Sequence, residues 1–397
     1  MPRRSATPAG QSGFSLTELL VGMLVALIAT VIMLNLFANA ETARRNVSGG
    51  GDAQSNGAIA LFSLSRELRF AGYGMTGDDF LGCKLHTYNT ARNPASLAID
   101  RLAPVTIFPS GTAATVSSGT VLPAGDSGTD ILLVVGGNAN TAAEAVGFND
   151  LADNENYAGY VVKNRVGFQV GDLVIAAESG KDCALMQVSA LPGDTTVCNQ
   201  TVAGNASVVK VATDSFLNPY AGCAAATSPY NPATAPVAYS SSDYSAVLGN
   251  LGNAPKIMAY AVRDHSLTYC NLLTTDCTAS GNWSRLAAHI VGFKASYGWD
   301  TTTAADGYVD SYSGTAPSEL AGKTEQCLIA RVAAVRIGLL ARNGNPDKAA
   351  VTAAAPTWQG GTFPMDGLAD WQYYRYKVVE SVVPLRNMVW KGALSGC

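Results

Sequence analysis

Residues 1–13 are polar and carry Arg3 and Arg4 with no acid, and Phe14 then opens an apolar run that reaches Ala38. As a helix rising ~1.5 Å per residue, about 25 residues exceed the ~30 Å hydrocarbon core of a bilayer. The pattern predicts a membrane-spanning helix, and the two arginines place the short leader on the cytoplasmic side with the rest outside. Glu18 breaks the run near its start. An ionised carboxylate at membrane depth costs roughly 2.5–3.5 kcal/mol or more, so it calls for a cationic partner. No proline occurs between Phe14 and Leu68, so one helix can leave the membrane and continue. Gly49-Gly50-Gly51 predicts a break or hinge in it. Beyond the glycines, Ile59, Leu61, Phe62, Leu64 and Leu68 read as one apolar face, with Arg66, Glu67 and Arg69 on others, an amphipathic half able to carry a globular head.

Two other readings of the N-terminus compete. Ala38-Asn39-Ala40 before Glu41 offers the small-residue triplet of a secretory signal peptide, but the apolar stretch is about twice the usual ~7–15 residues and begins with a glutamate. A plain single-pass anchor leaves Glu18 unexplained.

From about residue 80 the pattern changes to short apolar strands between Gly, Ser, Thr and Asn loops. Ile131–Val135, Tyr160–Lys163, Leu173–Ala177, Ala184–Val188, Val208–Val211, Ile257–Val262 and Ser266–Asn271 are expected strands. Residues 212–255, rich in Pro, Ser, Ala and Tyr without a clear period, read as a long decorated loop or insertion. The expected fold class is α+β: a long N-terminal helix over 14–70, whose half 14–38 is the membrane part, packed on an antiparallel β-rich head over 71–397.

Composition narrows the function. The 397 residues sum to a charge of -4, falling to -6 without Arg3 and Arg4, and only 14% are charged. A phosphate-tracking protein needs a basic face, so no nucleic-acid partner is expected. Eight cysteines with no C-x-x-C spacing, beside three histidines, favour disulfides in an oxidising compartment over zinc or redox chemistry. Closure cost favours local pairs, Cys270 with Cys277 and Cys183 with Cys198. Cys397 is expected to pair with Cys327 or Cys83, and Cys223 completes the eight cysteines.

Five segments carry a resemblance to a known family. Gly13-Phe14-Ser15-Leu16-Thr17-Glu18-Leu19-Leu20 resembles the class III signal of type IV pilins and type II secretion pseudopilins. That resemblance implies cleavage between Gly13 and Phe14 by a prepilin peptidase, N-methylation of Phe14, and pairing of Glu18 with the amine of a neighbouring subunit. Many pilins carry a proline in the apolar half, and its absence here implies less kinking. The end of the long helix, Leu68-Arg69-Phe70-Ala71-Gly72-Tyr73, resembles the "L-R-x-A-G-Y" of PilW-type minor pilins. Ile290 to Asp300 resembles their strand ending in "Y-G-x-D", Ala333 to Arg342 their "A-V-R-I-x-L-L-x-R" strand, and Tyr376 to Asn387 their closing strand with "P-L-R-N". Residues 85–255 match nothing in it. The resemblance implies a non-enzymatic minor pilin that inserts in the bacterial inner membrane with its head in the periplasm. It would then join the priming and tip complex of an extracellular pilus, with other minor pilins, the major pilin and a large tip adhesin as partners. The alternatives are a type II secretion pseudopilin, a surface-binding tip module or adhesin, and an exported hydrolase.

Other candidate chemistry is sparse. G-x-S-x-G and H-E-x-x-H are absent, and His86, His265 and His289 sit in unrelated contexts. Gly72, Gly74 and Gly77 have dinucleotide-fingerprint spacing, but they follow a helix and more naturally end it. Asp300, Asp306 and Asp310, with Gly307, form a turn-rich set of hard oxygen ligands and are a candidate calcium loop, against a solvated acidic loop. Trp371, Tyr373, Tyr374, Arg375, Tyr376 and Lys377 interleave aromatics and cations as single-strand binders do. Strand alternation, with Trp371, Tyr373, Arg375 and Lys377 on one face, accounts for them structurally.

Overall fold

The computed structural model describes residues 15–75, 78–138, 144–150, 159–194, 198–199, 201–240, 242–318, 320, 322–389 and 397. Its first element, α1, is a helix over Leu16–Phe70. The chain divides into two compact units at Gly51, 1–51 and 52–397. The predicted break at Gly49-Gly50-Gly51 does not occur, because α1 stays helical through all three. Glycine inside a helix costs about 1 kcal/mol relative to alanine. Helix propagation from both flanks outweighs that local preference.

In the second unit α1 buries Ala53, Ala60, Leu64 and Leu68, and Ala71 just beyond its end is buried too, at helical spacings of three, four and seven. Gly57 belongs to the same face, where a Cβ would lie 3.2 Å from Val379 Cγ2 and 3.4 Å from Ala341 Cβ. This face is thus built of small residues and leucines, letting helix and sheet approach closely. The single apolar face read from the sequence is corrected here. Ile59 and Phe62 point away from the buried stripe and are 50% and 71% exposed. At ~100° per residue they fall with Arg66 and Phe70 on the opposite side of α1.

The head is β-rich, with three principal sheets. The four-stranded sheet runs Ser311–Ser313, Ile290–Trp299, Val332–Arg342, Tyr376–Pro384 in order, all antiparallel. A five-stranded antiparallel sheet is centred on Lys256–Arg263, flanked by Ile131–Gly136 and Ser266–Asn271. An eight-stranded sheet is built from the segment with no family resemblance. Among its described pairs, Leu85–Tyr88 with Cys183–Gln187 is the parallel one. All seven expected strands are present to within a residue or two at each end.

Residues 212–255 are not one loop, which corrects the sequence reading. They contain the hairpin Ser215–Asn218/Ala224–Thr227 and the strand Ala246–Gly252, an interior strand of the eight-stranded sheet. Ala246-Val-Leu-Gly-Asn-Leu-Gly252 is buried at nearly every position, so it lacks the polar alternation that marks a half-exposed strand. The middle segment also has its own core, in which Phe148, Tyr160 and Tyr239 form a tilted and edge-on trio with centroids 4.6–6.1 Å apart. Beside it the buried Asp172 carboxylate accepts hydrogen bonds from Tyr220 Oη (2.7 Å), Asn250 Nδ2 (2.8 Å) and the Gln169 amide (2.9 Å). Burial pushes its pKa above the ordinary carboxylate value, partly offset by these donors.

Four disulfides join Cys83–Cys183, Cys198–Cys223, Cys270–Cys277 and Cys327–Cys397. The expected Cys183–Cys198 bond is replaced by two others. Parallel pairing sets Leu85 beside Cys183, bringing Cys83 to a Cα distance of 5.9 Å from Cys183 across 100 residues. Cys198 instead sits in a turn, 5.6 Å from Cys223. Closure cost ranks local pairs first only while no sheet has already brought distant residues together. In the chain-entropy model a ~100-residue loop is worth about 4–5 kcal/mol and a ~7-residue loop about 2–2.5 kcal/mol. Non-reducing peptide mapping is therefore expected to yield a Cys83–Cys183 linked peptide and none joining Cys183 to Cys198. Replacing Cys83 and Cys183 by Ala in the detergent-solubilised full chain should lower denaturant stability roughly twice as much as replacing Cys270 and Cys277.

Candidate assembly site

The N-terminus of α1 is closed by a reciprocal cap. Ser15 stands before the first helical residue, and the Glu18 carboxylate reaches back to accept the Ser15 amide hydrogen at 3.0 Å. Ser15 Oγ accepts from the Thr17 amide at 3.3 Å. This is the S-x-x-E capping-box pattern with the serine bond made to the neighbouring amide. The sequence reading assigned Glu18 only an intermolecular role, although Ser15-Leu16-Thr17-Glu18 carries the cap signal. Gly13, Phe14 and the rest of the leader lie outside the described residues. Leu16–Glu41, 26 residues of mean hydropathy 2.6 with none of its apolar window buried, is long and apolar enough to cross a membrane. The Ala38-Asn39-Ala40 triplet lies inside α1.

At its other end α1 is fastened to the family motifs. Gly72 and Gly74 adopt φ of 75° and 80°, turning the chain out of the helix, and a Cβ on Gly74 would lie 2.5 Å from the Asn250 carbonyl oxygen. Gly72 donates to the Val135 carbonyl at 2.9 Å. These two glycines of the fingerprint spacing serve chain reversal, and Gly77 is outside the described residues. Asn387 of "P-L-R-N" donates Nδ2 to the carbonyls of Ala71 (2.9 Å) and Arg69 (3.4 Å), occupying oxygens that a helix end leaves without partners.

The remaining motifs organise the four-stranded sheet. Tyr297 is buried, and its Oη accepts the Ile107 amide hydrogen at 2.5 Å. Burial pushes this phenol up to about 12. Gly298 leaves room for the Tyr312 ring, 2.8 Å from a notional Cβ, and the Arg336 guanidinium stacks on that ring at 3.6 Å. Gly338 seats Trp358 and Gly292 seats Phe363 in the same way. Glycines inside central strands thus mark places where aromatic rings lie on the sheet.

Asp300 closes the following loop. Its carboxylate accepts from the amides of Thr302 (2.9 Å), Asp306 (2.7 Å) and Gly307 (2.9 Å) and from the Thr302 hydroxyl. Burial alone would raise its pKa, but these hydrogen bonds outweigh it and hold the carboxyl below the ordinary value. Arg331, also buried, donates to the main-chain oxygens of Asp300, Thr302, Thr303 and Cys397, binding loop and disulfide-linked Cys397 together. The other two carboxylates of this candidate loop also have partners within it. Asp306 accepts from the Tyr308 amide and Asp310 from the Thr301 amide. The three carboxylates serve loop amides, and no group of three or more His, Cys, Asp or Glu among the described residues is arranged to hold a metal.

The aromatic and cationic cluster is also organised differently from a strand. Trp371–Tyr373 is a 3-10 turn, and the strand begins only at Tyr376, so alternation does not apply. Tyr374 carries Arg342 on its ring at 4.3 Å, Arg375 pairs with Asp347 at 3.0 Å, and Tyr376 Oη donates to the Trp371 carbonyl at 3.1 Å. His86 pairs with Asp182 and His265 with Arg342. His289 packs its ring against Gly344. No hydroxyl or thiol is bonded to a histidine ring among the described residues.

Residues 259–387, about a third of the chain, match the family model of type IV pilus-assembly protein W. The match starts in the five-stranded sheet, contains the whole four-stranded sheet and ends on Asn387, the residue that caps α1. This segment is a PilW domain, and the match suggests a role in type IV pilus assembly. No curated protein and no solved structure matches the chain.

Two substitutions test this fastening. Asn387→Ala should cost about 1 kcal/mol, and Asn387→Asp more, because an acceptor-only anion then faces helix carbonyls. Thermal unfolding and amide exchange in the last turn of α1 would read both. Asp300→Asn should cost about 2–3 kcal/mol at neutral pH. A carboxyl whose folded pKa is depressed binds fewer protons folded than unfolded, so its contribution is present above the unfolded pKa and lost as pH falls through the folded one. The stability gap between Asp300→Asn and the parent should accordingly shrink in denaturant titrations below about pH 4.

Proposed function

We propose that the chain is a minor pilin taking part in priming, assembly and tip formation of a type IV pilus, without enzymatic activity. The carrying observation is the combination, in one chain, of a PilW domain with an exposed apolar helix whose sole acid before Glu41 is Glu18. In this reading the prepilin peptidase cuts after Gly13, Phe14 becomes the methylated N-terminus, and Leu16–Glu41 holds the chain in the inner membrane with the head in the periplasm. Assembly then moves the helix among those of other minor pilins and the major pilin. Glu18 is poised for this transfer. Its second oxygen has no hydrogen bond among the described residues, and the cationic amine of a neighbour offsets the cost of a carboxylate in an apolar setting. The head of about 320 residues disfavours a bulk repeat unit and suits a terminal position that contacts a tip adhesin.

Charge and cap are separable at Glu18. Glu18→Gln keeps an acceptor for the Ser15 amide but loses the charge, whereas Glu18→Ala loses both. Both variants should be processed and inserted normally yet fall about tenfold or more in sheared pili, since an unpaired charge in lipid is worth over 2 kcal/mol. Wild-type incorporation of Glu18→Gln would reduce the carboxylate to a helix cap. N-terminal mass spectrometry should find methyl-Phe14, and a mature chain starting at Glu41 would overturn the pilin reading. Deleting the gene and scoring piliation against bulk secretion separates a pilus component from a secretion pseudopilin.

A further inference from the structure

The face of α1 turned away from the head core has the features of a protein-binding surface. Ile59, Phe62, Arg66 and Phe70 follow one another at three- and four-residue steps, so they form one ridge. The three apolar members are each at least half exposed. Solvent does not explain such a row, since a helix serving only to carry the head needs one apolar face. At the end of the ridge a cavity of about 340 Å³ opens between α1 and the five-stranded sheet, lined by Arg66, Glu67, Phe70, Val134, Lys256 and Met258. Its lining combines buried Val134 and Met258 with exposed Arg66 and Lys256, a mix of apolar and charged groups that can receive a large anchoring side chain.

Charge selects the occupant. Glu67 is already paired with Lys256 at 2.8 Å. Arg66 and Arg69 are exposed and have no acidic partner among the described residues. The end of the ridge that bears the cavity therefore has an uncompensated positive charge on a chain that is acidic overall. A second copy docking by the same face would set arginines against arginines, which disfavours self-association.

We propose that the Ile59–Phe62–Arg66–Phe70 ridge and its cavity dock an acidic amphipathic helix of a different subunit, an inference that rests on the chain working in a multi-subunit pilus complex. The partner's apolar stripe lies along the ridge, one large side chain enters the cavity, and flanking carboxylates meet Arg66 and Arg69.

The test uses the full chain in its producing cells with the photoreactive p-benzoylphenylalanine in place of Phe62. Irradiation should give an adduct whose cross-linked peptide is helical in pattern and carries Asp or Glu beside its apolar stripe. Combining Arg66→Glu with Arg69→Glu should lower the adduct yield about tenfold, and Lys at the partner's acid should restore it. Both arginines are exposed, so the altered chain should keep the parent's thermal unfolding and disulfide map. An adduct with a second copy or with lipid, no adduct, or a yield indifferent to the charge reversal would overturn the docking proposal. Incorporation of the unlabelled chain into sheared pili is scored in parallel. Failure there would overturn the pilus reading instead, so the two results are distinguishable.

Discussion

The close seating of α1 on the four-stranded sheet is the contact on which the rest of the head depends. Gly57 lets the helix approach Val379 and Ala341 to van der Waals distance, and Ala60, Leu64 and Leu68 extend the contact along the buried face. At each buried position a larger residue would lift the helix, and a polar one would bury an unpaired group. The Asn387 bonds to Ala71 and Arg69 then fix where the helix stops. The closing residues of the PilW domain thereby set the end of an element that begins more than three hundred residues earlier.

This arrangement gives the family motifs a physical meaning. In "Y-G-x-D" the tyrosine ties its strand to the Ile107 amide, the glycine makes room for an aromatic ring, and the aspartate gathers the amides of the next loop. The "A-V-R-I" strand alternates core residues with Arg336, which stacks on that same ring. "P-L-R-N" supplies buried Leu385 and the Asn387 cap. These residues form one mechanical connection between the end of α1 and the sheets. The eight-stranded sheet has a separate aromatic core and is clipped near the helix end by Cys83–Cys183.

The apolar half of α1 poses the complementary constraint. From Leu16 to Phe37 its large residues are exposed, so this chain alone leaves that surface uncovered. Burying each such side chain would be worth roughly 1.5–3 kcal/mol, and the stretch is long and apolar enough to cross a membrane. The capping bond from Glu18 to the Ser15 amide serves the isolated helix.

Much of this was legible in the residue order because it depends on local periodicity. Helix length and the expected strands follow from repeats of two or between three and four, which neighbouring residues impose on one another, whereas the family motifs were read from resemblance. The odd position of Glu18 in an apolar run needs no tertiary information either. Apart from the break expected at Gly49-Gly50-Gly51, which helix propagation overrode, the failures share one cause, since they concerned which distant residues meet. Cys183 was assigned its nearest cysteine because closure cost is all that a linear chain offers, whereas a parallel strand pair delivered Cys83. Ala246–Gly252 lacked alternation because both faces are buried. Ile59 and Phe62 matched the helical spacing, yet only the packed sheet determines which side of α1 faces inward. Sequence determined the elements because they are sums over nearby residues. Tertiary structure decided pairings, faces and the use of each polar group, because those depend on contacts whose partners are set only when the sheets assemble.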